Sequence, residues 1–330
     1  MKSVQNILLT LTLGFTWCSC AQDNTAERID LEDVQQYVRT LASEEFEGRE
    51  AGKHGGRKTA GYIRDLYKQM GLEPMVDSSN IKSYYQAVPL WGGTKSFNVL
   101  GLVKGSEFPE EIIVISAHYD HLGKKGKHYF PGADDNASGV AALLEVAEQF
   151  ATDSENGNPP KRSILFMALA AEEKGLVGST FYTDKSPVFP LKNTVVNLNM
   201  DMIGHLDDAH TQDPEFVSVV GSDWQSSELH EIHEKANKEY VGLELDYTYN
   251  DIDHPERFFY RSDQYNFAKH GIPVIFYTSG DHEDYHKLSD TAENIKFVRI
   301  EKVAKLVYYT ALEVANRPER IKVDKQLITK

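Results

Sequence analysis

The segment Glu111-Ile-Ile-Val-Ile-Ser-Ala117 constrains this chain more than any other, because its run of β-branched residues leaves no polar face for solvent. Such a run reads as a buried strand of the parallel kind, covered by helices on both sides. The neighbouring segments fit that placement. Tyr84–Leu90 and Phe97–Val103 read as strands before it. After it come a helix over Gly139–Phe150, a surface loop Asp153–Pro160, a strand Ser163–Leu169, a helix opening at Leu176–Tyr182 and a strand Thr194–Met200. The series continues with a strand Phe216–Val220, a helix Ser226–Tyr240, a strand Leu243–Tyr249, a helix Asp263–Lys269, a strand Pro273–Tyr277 and a terminal helix Lys296–Ala315. At the N-terminal side, Leu31, Val34, Tyr37, Val38 and Leu41 have helical spacing. A Gly-rich stretch, Gly48 to Gly56, leads into a second helix through Ala60, Ile63, Leu66, Tyr67 and Met70. This alternation predicts an α/β fold, a mostly parallel mixed sheet sandwiched by helices.

The chain carries no internal repeat, no low-complexity tract and no linker that would split it, so one domain over 22–330 is expected. Its 41% hydrophobic content supplies a core, and a net charge of −15 excludes a nucleic-acid or anionic-membrane partner. Lys2, the apolar run Ile7 to Trp17 and the small residues Ser19-Cys20-Ala21 read as a signal peptide over 1–21, too short to span a bilayer. Export to the periplasm or the extracellular space follows, and no later segment is apolar enough to be transmembrane. Both cysteines, Cys18 and Cys20, lie in this leader, so cleavage after Ala21 leaves no disulfide and no thiolate chemistry. Lipid attachment at Cys20 is the alternative, although Trp17 stands where a small or aliphatic residue is usual.

In open parallel sheets, ligands collect at the carboxyl ends of the strands. Five successive strand ends here deliver a histidine or a carboxylate: His118-Tyr-Asp120, the loop Pro131-Gly-Ala-Asp-Asp-Asn-Ala-Ser-Gly139, Glu172-Glu173, Asp201, and Tyr285-His286. Each has a bland reading taken alone. The Asp-rich loop could simply cap a helix, and Glu172-Glu173 could be a solvated pair at a first turn. Asp201 is harder to dismiss, because a carboxylate after an apolar strand is costly to bury without a partner. Together, two histidines and three or more carboxylates form a ligand set suited to Zn²⁺, with Mn²⁺ or Co²⁺ as substitutes. Five ligands exceed what one catalytic zinc uses and match two ions sharing a carboxylate, leaving a glutamate to take a proton from water.

With these motifs in hand, the chain resembles the co-catalytic di-zinc aminopeptidases, secreted bacterial leucyl-type enzymes related to glutamate carboxypeptidase II and glutaminyl cyclase. The resemblance rests on His118-Tyr-Asp120, Gly132-Ala-Asp-Asp-Asn-Ala-Ser-Gly139, Ala171-Glu-Glu-Lys-Gly175, Asn199-Met-Asp201 and Asp284-Tyr-His286, with Leu41-Ala-Ser-Glu-Glu-Phe-Glu-Gly-Arg49 before them. It implies the zinc-exopeptidase (phosphorylase/hydrolase-like) fold and two Zn²⁺ per chain. By that resemblance, His118 and Asp201 hold one ion, Glu173 and His286 the other, and Asp135 bridges them, through an Asp135–Asn136 peptide that is cis. It further implies Glu172 as general base and acid, Asp120 as the carboxylate that orients His118, and Tyr285 as a donor to the oxyanion. Peptides with a free N-terminus are the implied substrates.

Departures from the family narrow the reading. Only Trp91–Ser96 separates the two early strands, so no protease-associated insert is expected. The carboxypeptidase branch has proline after the bridging aspartate where this chain has Asn136, and glutaminyl cyclases bind a single zinc. A cyclase, a carboxypeptidase or another amidohydrolase of the same fold is the alternative. Phe258, Phe259, Tyr260 and Arg261 are candidates for the side-chain pocket, with packing of their loop onto the core as the competing role. Asp263 is expected to cap a helix, and His54, His121, His128 and His282 are expected at the surface or in loops.

Overall fold

The computed structural model describes residues 28–78, 81–207, 209–211 and 215–327, so the leader expected over 1–21 lies outside the described residues. The main sheet is built from β1 (Glu73–Pro74), β2 (Tyr85–Pro89), β3 (Lys95–Val103), β4 (Phe108–His118), β5 (Arg162–Leu169), β6 (Thr194–Met200), β7 (Phe216–Val220), β8 (Glu244–Asp246) and β9 (Val274–Thr278). Across the sheet the order is β1–β3–β5–β4–β6–β9–β7–β8, with β2 also paired to β3. The four central strands β5, β4, β6 and β9 are mutually parallel, whereas β3 and β7 join them antiparallel. All four central strands therefore finish on one edge of the sheet.

Residue alternation sends the two faces of these strands into separate cores. Ile113, Ile115 and Ala117 of β4 and Ile164, Phe166 and Ala168 of β5 join one apolar cluster. Their neighbours Ile112, Val114, Leu165, Met167 and Leu169 join the other. The first cluster is covered by α1 (Leu31–Leu41), α2 (His54–Gln69), α3 (Gly139–Glu155) and α7 (Phe297–Asn316). The second is covered by α6 (Gln264–Ala268), bonded through Asn266 to Ser179 of the short α4 (Val177–Thr180), and by the aromatic turn Phe258–Tyr260. A sheet buried on both sides explains why β4 reads as an unbroken apolar run rather than an alternating one.

Several element limits differ from the sequence expectation, each for a local reason. The second helix begins at His54, so Gly55 and Gly56 lie inside it. The turn Glu44–Arg49 packs on the first turn of this helix, and a Cβ on Gly55 would stand 2.1 Å from the Phe46 carbonyl oxygen. Asp153, expected in a loop, is held in α3 by Gln149 Nε2 at 2.8 Å and the Tyr308 hydroxyl at 2.6 Å. The helix expected over 226–240 is regular only as α5 (Ser227–Ala236) and unwinds into a wider turn. There the Asn237 side chain bonds both the N–H and the carbonyl of Leu243. The strand expected over 243–249 stops at Asp246, whose carboxylate accepts the Thr248 N–H and hydroxyl and turns the chain.

One carboxylate in this framework has no catalytic position. Glu145 of α3 is buried, accepts the Asp30 N–H at 2.8 Å through one oxygen, and leaves Oε1 without a partner. Burial, then the charges of Asp33 and Glu148, push its pKa up to about 8. The folded state therefore binds this proton more tightly than the unfolded chain. Its stabilising effect is complete below about pH 4.5 and is lost as pH rises toward 8. Glu145→Gln is expected to raise stability above pH 8 by about 2–4 kcal/mol and to change little at pH 4.5. Chemical denaturation at the two pH values reads this directly, and an equal effect at both would refute it.

Candidate active site

The shared edge of the four parallel strands gathers the polar residues. β4 ends at His118 and runs into Asp120, β5 leads into Glu172 and Glu173, and β6 into Asp201. The segment after β9 brings Tyr285 and His286 to the same place, and the loop 131–138 ahead of α3 brings Asp135. Ala171, Met202 and His286, each at or next to a site residue, adopt left-handed backbone with φ of 61°, 60° and 56°. Non-glycine residues held there cost on the order of 1 kcal/mol or more each, which is typical where a site over-determines the backbone.

His118 is fixed first. It is buried, and its Nδ1 donates to the Asp120 backbone oxygen at 3.2 Å. With Nδ1 committed to that carbonyl, Nε2 faces Asp201 Oδ1 at 3.0 Å and Asp135 Oδ1 at 3.4 Å. On the other side of Asp135, His286 Nε2 stands 3.1 Å from Oδ2 and 3.2 Å from Glu173 Oε2. Asp135 thus divides its two oxygens between two clusters. Imidazole nitrogens and carboxylate oxygens gathered 3.0–3.4 Å apart have the spacing of donors around one ion, since Zn–N and Zn–O bonds of about 2.0–2.1 Å place neighbouring donors there. The donor set fits two cations, one for each side of Asp135.

Neighbouring groups hold these side chains in place. Ser262 Oγ donates to Asp201 Oδ2 at 2.6 Å and is itself bonded by Asn199 of β6. The Asp135–Asn136 peptide is cis, matching the expectation from the motif. The Asn136 side chain ties the loop to the end of β6 through Met200 and Met202. Asp290 accepts the N–H groups of Asp134 and Asp135 at 2.8 and 3.1 Å. Asp134 points away from the cluster, accepting the Gly204 N–H and standing 3.1 Å from His282 Nε2. Arg49, fully buried, donates five bonds to the carbonyls of Leu41, Tyr119, Pro131, Gly132 and Asp135. Gly132, at φ 57°, makes room for it: a Cβ there would stand 2.6 Å from Arg49 Nη2 and 2.2 Å from the Asp135 oxygen.

The charges of the cluster set its protonation. Burial opposes the charged form of His118, but Asp201, Glu172 and Asp135 outweigh it and raise the pKa. His286 is pushed up to about 10 against its burial by Asp135 and Glu173. Burial would raise Glu173, yet its bonds to His121 and His286 hold it well below the carboxylate range. Glu172 is raised by burial and by the charges of Asp201, Asp263 and Glu173. Asp120 is pushed up to about 7 by burial.

Some positions differ from the sequence reading. His121 and His282 lie in loops, as expected, but His121 and the His282 side chain are buried there, whereas His54 and His128 are exposed. His121 Nδ1 lies 2.8 Å from Glu173 Oε1, inside the cluster. The Asp120 carboxylate stands 3.9 Å from His118 Nδ1 and accepts the Glu172 N–H at 3.1 Å instead, so it is the Asp120 backbone that orients the imidazole. Asp263 makes no capping bond; it is buried and accepts from the Ser179 hydroxyl. The cavity beside the cluster is lined by Glu172, Tyr285, Phe258 and Arg261. Phe259 and Tyr260 are not in it: Phe259 packs on Trp224 with ring centroids 4.1 Å apart, and Tyr260 lies under Arg257 and against Tyr265. Met202, Phe276, Thr278 and Asp281, which carried no motif, also line it, and Asp281 forms a bidentate ion pair with Arg261 at 2.9 and 3.0 Å.

The profile of peptidase family M28 matches residues 98–311, which span β3 to α7 and contain every residue of the two clusters. The chain belongs to peptidase family M28. Among curated M28-like relatives, aminopeptidase YwaD of Bacillus subtilis is 30% identical over 238 residues, covering 69% of this chain and 47% of YwaD. The chain thus spans about half the length, or less, of the first curated relatives it matches. Among solved structures, the LapA aminopeptidase of Legionella pneumophila superposes with a TM-score of 0.70 at 23% identity, over 89% of this chain and 74% of LapA. BSAP, a zinc aminopeptidase from Bacillus subtilis, gives 0.67 at 18% identity over 90% of this chain and 98% of its own. These likenesses establish the M28 fold for the chain.

Proposed function

We propose that this M28 chain is a di-zinc aminopeptidase that hydrolyses the N-terminal residue from peptides. The observation that carries the reading is Asp135, whose two oxygens face separate histidine–carboxylate sets with Glu172 lining the adjacent cavity. His118 and Asp201 would hold one ion, Glu173 and His286 the other, and Asp135 would serve both. Zinc in a paired site supplies Lewis-acid polarisation of a carbonyl and makes water a better nucleophile at neutral pH. The chain supplies the rest. Glu172, its affinity for protons raised by burial, takes the proton of the attacking water and returns it to the leaving amine. Tyr285 stacks on His286 with ring centroids 3.9 Å apart, and burial beside Asp135 keeps its phenol protonated, as a donor to a developing oxyanion must be. The Asp120 backbone, Ser262 and Asp290 hold His118, Asp201 and the Asp135 loop in place.

Residues 22–330 are proposed to work as one catalytic domain, since strands β1 to β9 all belong to a single sheet. Export is proposed from the leader-like residues 1–21; among the described residues no helix is long and apolar enough to cross a membrane.

Metal analysis combined with a panel of amino-acyl p-nitroanilides, free and N-acetylated, tests the reading. Two metal ions per chain are expected. Only the free substrates should be cleaved, with activity lost to a chelator and restored by Zn²⁺. Cyclisation of N-terminal glutamine without amide hydrolysis would move the chain to the cyclase reading, and absence of bound metal would overturn the enzymatic one.

A further inference from the structure

The loop after β4 carries a second histidine three residues beyond His118. His121 is buried, its ring pressed against Gly132, where a Cβ would stand 2.5 Å from Cδ2. Its Nδ1 faces Glu173 Oε1 at 2.8 Å and Asp135 Oδ2 at 3.5 Å. That pattern repeats His118, whose nitrogen also faces oxygens of two different carboxylates, at 3.0 and 3.4 Å. The two carboxylates are moreover the ones that face His286. The rings of His121 and His286 have centroids 5.8 Å apart and planes 66° apart. Two imidazoles bound to one ion at about 2.0–2.1 Å, in a roughly tetrahedral arrangement, place their centroids about 5–6 Å apart.

We propose that His121 is a further ligand of the second metal position. This rests on the di-metal reading above and divides the two positions by role. One position has three protein ligands, His118, Asp201 and the shared Asp135, the open pattern of a catalytic ion. The other has four, His121, Glu173, His286 and Asp135, the closed pattern of a retained ion. The exchangeable, substrate-facing position is then the one built on His118 and Asp201.

The test measures metal affinity and ligation rather than turnover. Wild-type protein, His121→Gln and His121→Ala are stripped of metal and titrated with Zn²⁺ against a chromophoric chelator. Both substitutions are expected to weaken the tighter of the two equivalents by more than about 100-fold, beyond what loss of an outer hydrogen bond costs, and to leave the weaker one nearly unchanged. Gln keeps an N–H donor for Glu173. If Gln retains the tight equivalent while Ala loses it, His121 only hydrogen-bonds Glu173 and the proposal fails. It fails equally if both retain it. Paramagnetic proton NMR of the wild-type protein loaded with Co²⁺ makes the test independent of variant folding. Three shifted, exchangeable imidazole resonances are expected, and two would overturn the assignment. Wild-type protein that takes up no ion would instead overturn the di-metal reading itself, a result separate from a two-ion protein with an idle His121.

Discussion

Replacing Glu172 by glutamine is expected to lower kcat by about 10²–10⁴-fold, the range a positioned proton-transfer group contributes, while both metal ions stay bound. The separation follows from which atoms of Glu172 do what. Its backbone N–H makes the bond to Asp120, and the backbone is unchanged in the variant. The side chain lines the cavity beside His118, Asp135 and Asp201 and is not among the donors grouped around Asp135. Glu173→Gln is the informative contrast one residue on. Its two oxygens face His121 and His286, so that variant should lose metal before it loses anything else. Single-turnover assays with parallel metal analysis separate the two outcomes. A Glu172→Gln enzyme with near wild-type kcat would remove this residue from proton transfer.

Arg49→Met is expected to cost about 3–5 kcal/mol of stability, because it strips donors from carbonyls that are buried with the guanidinium. Burial pulls the Arg49 pKa down to about 10, still well above neutral pH, so the wild-type side chain stays charged while surrounded by carbonyls. Arg49→Lys is expected to recover little. An ammonium has three donors and no planar fork, and five carbonyls on three separate segments need serving. Denaturant midpoints measure the loss, and zinc affinity should fall in step, since Arg49 bonds the Asp135 carbonyl itself. Unchanged stability in the Met variant would show that the five bonds contribute nothing net, and full recovery in the Lys variant that the planar fork is not needed.

The strand ends were legible because parallel sheets buried on both faces leave long apolar runs, and the polar residues that stop them stand out. His118, Glu172-Glu173 and Asp201 all follow such runs, and the structure gathers them on one edge. The limits of β8 and α5 were not legible, because Asp246 and Asn237 turn the backbone with their own side chains, a competition that apolar periodicity does not record. The cavity was legible in half. Phe258 to Arg261 form one aromatic turn, and a turn presents successive side chains in different directions: Phe258 and Arg261 reach the cavity while Phe259 enters the core under Gly221. His121 carried a signal in its spacing, three residues past His118, but an isolated histidine in a polar loop reads as solvent-facing until the loop's burial is known.

The reach of Arg49 separates where the chemistry is encoded from where it is secured. The family match begins at residue 98, and a fragment starting there would contain every side chain of the two clusters but not the guanidinium that holds the Tyr119 and Asp135 carbonyls. A minimal working unit must therefore reach back through the turn that bears Arg49 to Leu41, which lies in the last turn of α1. Synthesis runs in the favourable direction: Arg49 emerges ahead of both loops it fastens, and His286, the last residue of the two clusters, follows only after every strand of the sheet has been made.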